Sequence, residues 1–188
     1  SDFCGLRFKV TPATLIPRPE TSELVEWIAN EANGTESILD IGTGSGCIAV
    51  SLASKLPKSC VSAWDISAEA LAVATENSKA NGCNVAFEQV DILAYEPTNE
   101  QFDIIVSNPP YIKEVEKEQM EANVLDWEPH TALFVPDNDP LLFYRTIAQR
   151  ATTMLRPGGK LYFEINRAYG KETVEMLSAL GYTDIELR

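Results

Sequence analysis

Short apolar runs alternate with helix-period segments along most of the chain, and that alternation sets the expected architecture. Phe3 to Val10 has an extended pattern, Thr21 to Ala32 a helical one, and Ser37 to Ile41 reads as a short buried strand running into glycines. The unit then recurs. Gly46 to Leu56 is helical, Cys60 to Asp65 is a strand, Ser67 caps a helix ending near Asn81-Gly82, and Asn84 to Val90 is the next strand. Phe102 to Ser107 follows as a fourth strand. Asp139 and Pro140 open a helix whose Leu141, Tyr144, Ala148, Ala151 and Leu155 share a face. Arg156-Pro-Gly-Gly159 stops it before a strand from Lys160 to Ile165, and a last helix and strand run to Arg188. Strands alternating with helices predict an α/β fold: a Rossmann-like, mostly parallel sheet, helices on both faces, and a ligand crevice at the carboxyl ends of the strands.

Composition narrows this picture without redirecting it. The 188 residues suit one domain, and 45% hydrophobic against 23% charged residues is a globular balance. The net charge of -13, from 15 basic and 28 acidic side chains, disfavours a phosphate grip over the whole surface, so direct nucleic-acid binding is not expected. No apolar run reaches the roughly 18 residues of a membrane helix. Cys4, Cys47, Cys60 and Cys83 form no C-x-x-C pair and His130 is the only histidine, so no metal site is expected and the cysteines read as buried free thiols of a reducing, cytoplasmic compartment. A chain beginning Ser-Asp-Phe without methionine reads as trimmed.

Candidate chemistry starts where the first buried strand ends. Ile38-Leu39-Asp40-Ile41 leads into Gly42-Thr43-Gly44-Ser45-Gly46 and then a helix, placing a glycine turn where backbone can approach a ligand closely. The spacing is neither the dinucleotide G-x-G-x-x-G nor a phosphate-binding Gly-Lys-Ser/Thr loop. Asp40 discriminates further, because a carboxylate there repels pyrophosphate and suits an ammonium group such as the amino-acid end of S-adenosylmethionine. Asp65 closes the next strand, before Ile66, where an acid can accept both ribose hydroxyls; Asp91 and Ile92 close the third, where they suit an adenine amine and ring.

Asn108-Pro109-Pro110-Tyr111 is the most informative tetrapeptide. Two prolines cannot continue a ladder, and they hold the Asn108 side chain and the Pro109 carbonyl at the crevice. Those two acceptors suit a planar NH2 group, taking one N–H each and strengthening as positive charge grows on nitrogen, while Tyr111 can stack on the plane. Downstream, Glu114, Glu116, Glu118, Glu121, Asp126 and Glu128 stand against two lysines, a charge that repels nucleic acid and suits a basic protein loop, or is simply a solvated face.

The run Asp40-x-Gly42-x-Gly44-x-Gly46 resembles class I S-adenosylmethionine-dependent methyltransferases. Asn-Pro-Pro-Tyr is shared by members acting on adenine, cytosine, guanine and glutamine nitrogens. Thr14-Leu-Ile-Pro-Arg18-Pro19-Glu20-Thr21, the lead-in Phe3-x-Gly5-Leu6-x-Phe8-x-Val10, Glu128-Pro-His-Thr-Ala-Leu133 and Leu161-Tyr-Phe-Glu164-Ile165 together resemble HemK-like protein-(glutamine-N5) methyltransferases of peptide chain release factors. The resemblance implies methyl transfer from S-adenosyl-L-methionine, leaving S-adenosyl-L-homocysteine, to the glutamine of a Gly-Gly-Gln motif. An adenine- or guanine-modifying enzyme is the alternative. It also implies donor-binding roles for Thr43, Ser45 and the loop glycines, and peripheral roles for Arg18, Pro19 and Glu20. Residues 1–20 then form a lead-in hairpin and linker following a missing helical domain, and 21–188 form the catalytic domain, lacking its seventh strand. The chain departs from the family pattern at Ser22 and in Asn166-Arg-Ala-Tyr-Gly170, which lacks the usual glutamine.

Overall fold

A chain that buries one stripe of each helix against continuous apolar strands has to stack them in layers. The computed structural model describes residues 2–10, 18–109 and 139–188 and has that arrangement. A two-strand antiparallel hairpin, β1 (Asp2–Phe3) and β2 (Leu6–Arg7), leads in, turning at Cys4 and Gly5, both at positive φ. Helix α1 (Pro19–Glu31) starts with proline in its first turn and buries Leu24, Val25 and Ile28. Then come β3 (Ser37–Ile41), α2 (Cys47–Lys55), β4 (Cys60–Asp65), α3 (Ala68–Ala80) and β5 (Val85–Gln89). The chain continues with β6 (Phe102–Ser107), α4 (Leu142–Met154), β7 (Leu155–Phe163), a short 3-10 turn at Arg167–Tyr169 and α5 (Gly170–Ala179). Ser67 caps α3 through its side chain, accepting from the Ala70 N–H, as the sequence predicts.

The five main strands are parallel, in the order β5-β4-β3-β6-β7. From β3 the chain steps outward to β4 and β5, then returns to β3's other side for β6. The crevice therefore opens at the end of β3, the switch point of the sheet. Alternation along β3 divides the core: Ile38 packs among Val25, Ile28, Val50 and Leu52 of α1 and α2, whereas Leu39 and Ile41 pack with Phe143, Ile147 and Met154 of α4. Phe8, 1% exposed, anchors the lead-in segment in the first of these clusters. Among the described residues, no helix is long and apolar enough to cross a membrane.

Three expectations need correction. Leu155 and Arg156-Pro-Gly-Gly159 belong to β7 rather than to a helix end and stop: Leu155 pairs with Phe102, and the ladder resumes at Ile104 and Lys160 across a register shift. Gly158, at φ +80°, and Gly159, whose added Cβ would lie 2.8 Å from the Arg156 carbonyl oxygen, accommodate that irregularity. The Arg156–Asp103 ion pair, at 2.8 Å, holds it against β6. The final strand does not form: among the described residues, no strand pairs with the segment after α5. Instead Tyr182 donates to the Ala148 carbonyl, Leu187 lies against Gly170, and Arg188 sits 4.1 Å over the Trp27 ring. Finally, Cys60 is exposed, at the start of β4, while Cys4, Cys47 and Cys83 are half-buried free thiols.

Gly46 is the position where backbone and packing both require glycine: its φ is +83°, and an added Cβ would lie 3.0 Å from the Ala74 Cβ of α3. Gly46→Ala should destabilise the fold by about 1–3 kcal/mol through strain plus overpacking. Gly34→Ala, at φ +103° with open space around it, carries only the conformational part and should cost less. Urea midpoints at unchanged m-value measure both, and an equal loss would contradict the loop-to-helix contact.

Candidate active site

Strand register brings the sequence-predicted residues to one level. Ile41 is paired with Trp64 and with Ser107, so the next residues, Gly42, Asp65 and Asn108, stand side by side on three adjacent strands. Asp65 pairs with Gln89, and Ser107 with Phe163, which extends the row to Glu164 beside Asn108. The Glu164 N–H donates to the Ser107 carbonyl (3.1 Å), and the Ser107 hydroxyl to the Ile41 carbonyl (2.5 Å), so these strand ends are bonded to one another as well as level.

The glycine loop is folded over Asp40. Gly42, Gly44 and Gly46 all have positive φ, and nothing lies within 4 Å of where a Cβ would stand on Gly42 or Gly44, so backbone faces open space there. The Trp64 carbonyl accepts from Gly42 (2.8 Å) and Thr43 (2.9 Å), and the Thr43 carbonyl from Gly46 (2.8 Å). Asp40 itself is fully buried beneath the first turn of α2. Its Oδ2 accepts from the Thr43 hydroxyl at 2.7 Å, and Oδ1 is buried without a hydrogen-bond partner. Burial pushes its carboxyl up to about 7; the Thr43 hydroxyl and the Ala49 N–H pull down, and the Asp65 charge adds to the rise. The neighbouring Cys47 thiol is pushed up to about 12, by burial first and the Asp40 charge second.

An orphaned buried carboxylate oxygen next to open glycine backbone fits a ligand that brings an ammonium group, which is the group the S-adenosylmethionine reading needs. Thr43 and Ser45 are 5% and 2% exposed, so what they offer a ligand from this loop is mainly backbone.

Asp65 has a second employment that the sequence reading did not contain. Its Oδ2 accepts the Gly44 N–H and its Oδ1 the Ser67 N–H, both at 2.9 Å, so the carboxylate braces the loop from the adjacent strand. Burial pushes its pKa up, against the N–H groups of Ser67, Gly44 and Ile66. Three N–H groups on four lone pairs leave the carboxylate capacity for a further donor. Asp91 closes a turn, accepting from the Leu93 N–H at 3.0 Å, and Ile92 is buried in the α4-side core.

Of the tetrapeptide, Asn108 is half-buried and Pro109 buried at the end of β6; Pro110 and Tyr111 lie outside the described residues, as do 11–17 and the acid-rich stretch 113–128. At the start of α1, Arg18 pairs with Glu20 at 3.4 Å, and Pro19 and Glu20 are exposed. Sequence reasoning missed the clasp behind them: the Thr21 hydroxyl, 1% exposed, donates to Glu164 Oε1 at 2.5 Å, and Tyr144 donates to the Glu164 carbonyl at 3.0 Å. The signal was present, since Glu164 is an acid at a strand end just as Asp65 is.

A parallel sheet in this order, with a glycine loop over one buried acid, a second acid at the next strand end and Asn-Pro across the switch point, defines a Rossmann-like methyltransferase. The family model described as Methyltransferase small domain matches residues 20–126. Among solved structures, a methyltransferase from Pyrococcus furiosus superposes with a TM-score of 0.70 at 22% identity, over 98% of this chain and 83% of that one. The ribosomal protein L11 methylase of Lactobacillus delbrueckii gives 0.66 at 20% identity, over 95% and 78%. Both likenesses concern the fold. Among curated proteins, the release factor glutamine methyltransferase of Bacteroides thetaiotaomicron is 54% identical over all of this chain and 68% of its own length; that of Flavobacterium psychrophilum is 53% identical with the same coverages. The chain belongs to the release factor glutamine methyltransferase family, and it spans about two thirds of the length of these relatives.

The buried Asp40 makes a pH prediction with a definite sign. Its folded pKa near 7 lies above the unfolded value of about 3.9, so between those values the folded state holds the extra proton. Stability from this group is therefore full below the unfolded pKa and is lost as pH rises towards about 7. Asp40→Asn keeps the shape without the charge. Its stability relative to wild type should climb from pH 5 to pH 8 in urea titrations, and a pH-independent difference would contradict a buried, uncompensated carboxylate.

Proposed function

We propose that this chain transfers a methyl group from S-adenosylmethionine to the side-chain amide nitrogen of a glutamine in a peptide chain release factor, within a Gly-Gly-Gln motif. The observation that carries this reading is the register that sets Gly42 of the glycine loop level with Asn108 on the adjacent strand, so donor and acceptor groups meet across one strand spacing. On this reading residues 21–188 are the catalytic domain and 1–20 its lead-in, and the enzyme works in the cytoplasm, where its substrate is made.

Asp40 and the backbone of Gly42 to Gly46 would hold the donor's amino-acid end, Asp65 with Ile66 its ribose, and Asp91 with Ile92 its adenine. When bound, the donor supplies an electrophilic methyl on a sulfonium. The remaining work falls to the acceptor side. An amide nitrogen is a weak nucleophile because its lone pair is delocalised into the carbonyl. The Asn108 Oδ1 and the Pro109 carbonyl each accept one N–H, orient the nitrogen along the line of transfer, and tighten as positive charge develops on it. Tyr111 would pack on the amide plane. No side-chain base is needed before transfer, since the proton leaves to water from the charged product. Arg18, Pro19 and Glu20 would lie at the periphery of the site. The acid-rich stretch 113–128 favours a basic protein loop over a nucleic-acid strand as the incoming partner.

Asn108→Ala should lower kcat on a release factor by on the order of 10² while donor affinity changes little, because the lost acceptor matters most in the transition state. Asn108→Asp separates two causes: retained activity assigns the effect to stabilisation of charge, and loss equal to Ala assigns it to orientation by a neutral amide. Asp65→Ala should weaken donor binding by about 1.5–3 kcal/mol in calorimetry. Wild-type kcat in Asn108→Ala at saturating donor, or methylation of nucleic acid in place of release factor, would overturn the proposal.

A further inference from the structure

Asn77, in the last turn of α3 and 2% exposed, uses its amide to join two segments distant in sequence. Its Oδ1 accepts the Lys9 N–H at 2.7 Å, and its Nδ2 donates both to the Lys9 carbonyl at 2.9 Å and to the Ser45 carbonyl at 2.8 Å. Both N–H groups and one lone pair of the oxygen are thereby engaged. The amide has one orientation only, since reversing it would aim N–H at N–H and oxygen at two carbonyls. Ser45 lies inside the glycine loop, and Lys9 belongs to the lead-in segment that Phe8 anchors in the core. The Asn81 amide adds a third bond to that segment, donating to the Arg7 carbonyl at 2.9 Å.

We infer that Asn77 is a positioning residue for the donor loop, and that through it the docking of the lead-in segment and the affinity for the methyl donor are one coupled equilibrium. The inference rests on the functional reading above. Three residues of the loop are at positive φ, so the chain there has little stiffness of its own and its shape is set by the bonds it makes. Gly42, Thr43, Gly44 and Gly46 are fixed through their N–H groups, to Trp64, Asp65 and Thr43. Asn77 supplies the tie to a loop carbonyl between Gly44 and Gly46. Removing it leaves the Ser45 oxygen unpaired against α3 and lets the loop sample shapes that cannot receive the donor, a cost charged to binding as lost pre-organisation. Coupling of this kind is reciprocal: a donor that selects the fixed loop must also strengthen the docking of Lys9.

Two measurements test this. In the unaltered protein, saturating S-adenosylhomocysteine should slow hydrogen exchange at the Lys9 amide, and in Asn77→Asp it should not. Asn77→Asp keeps the size and the acceptor for Lys9 but loses the donors to both carbonyls, and it should raise the S-adenosylhomocysteine Kd about tenfold or more, well below its Tm. A residue that merely holds α3 in place would lower Tm and leave Kd and Lys9 protection unmoved, and that result overturns the inference. Should Asn77→Asp not fold, the Lys9 exchange experiment on the unaltered protein decides alone: ligand-independent exchange refutes the coupling. If the unaltered protein fails to bind S-adenosylhomocysteine at all, the functional reading falls first and the inference with it.

Discussion

The site depends on one constraint: five parallel strands in a register that ends them level. Because Ile41 pairs with both Trp64 and Ser107, Gly42, Asp65 and Asn108 have nowhere to be except side by side. A shift of one residue in β4 would turn Asp65 to the other face of the sheet and withdraw its carboxylate from the Gly44 N–H. A shift in β6 would carry Asn108 away from the loop. The apolar alternation that buries Ile38 on one side of β3 and Leu39 and Ile41 on the other makes such slips expensive, so core packing and site geometry are enforced by the same residues.

On that frame sits a loop that could not hold its own shape. Its glycines permit the turn and the open backbone, and its rigidity is borrowed from Trp64 on β4, Asp65 at the strand end, and Asn77 on α3. Among the described residues, Asp40 is the one fully buried carboxyl group. Its burial, only partly offset by the Thr43 hydroxyl and the Ala49 N–H, opposes folding at neutral pH, a cost of the sort that accompanies a site whose partner arrives from outside. The end of β6 is built in a parallel way: Asn108 is fixed by Pro109 after it and by Ser107 before it, and Glu164 ties the neighbouring strand end to α1 through Thr21.

Much of this was legible in the sequence, for reasons particular elements make clear. Ser37–Ile41, Cys60–Asp65 and Phe102–Ser107 have the predicted limits because each is a largely apolar run closed by a local stop: the glycine loop, the Ser67 helix cap, and Asn108-Pro109. The start of β7 was not legible, since Arg156-Pro-Gly-Gly159 is a helix-stop signal locally and becomes strand only by pairing irregularly with β6. The last strand failed because a ladder needs a neighbour, which no local pattern can supply. Site acids followed the same division. That Asp40, Asp65 and Asp91 lie at or just past strand ends could be read directly, whereas Asp65 bracing Gly44, or an ordinary-looking helical Asn77 reaching Ser45 and Lys9, depends on contacts between segments far apart in sequence.

Peptide mass spectrometry of a release factor, after incubation with the protein and S-adenosylmethionine, bears most directly on the claim that a donor loop and an amide-orienting Asn108 act on one glutamine. The account predicts a gain of one methylene mass confined to the peptide containing Gly-Gly-Gln and located on its glutamine side chain. A methyl group found on a different residue, or an unmodified release factor with the label in nucleic acid, would contradict it.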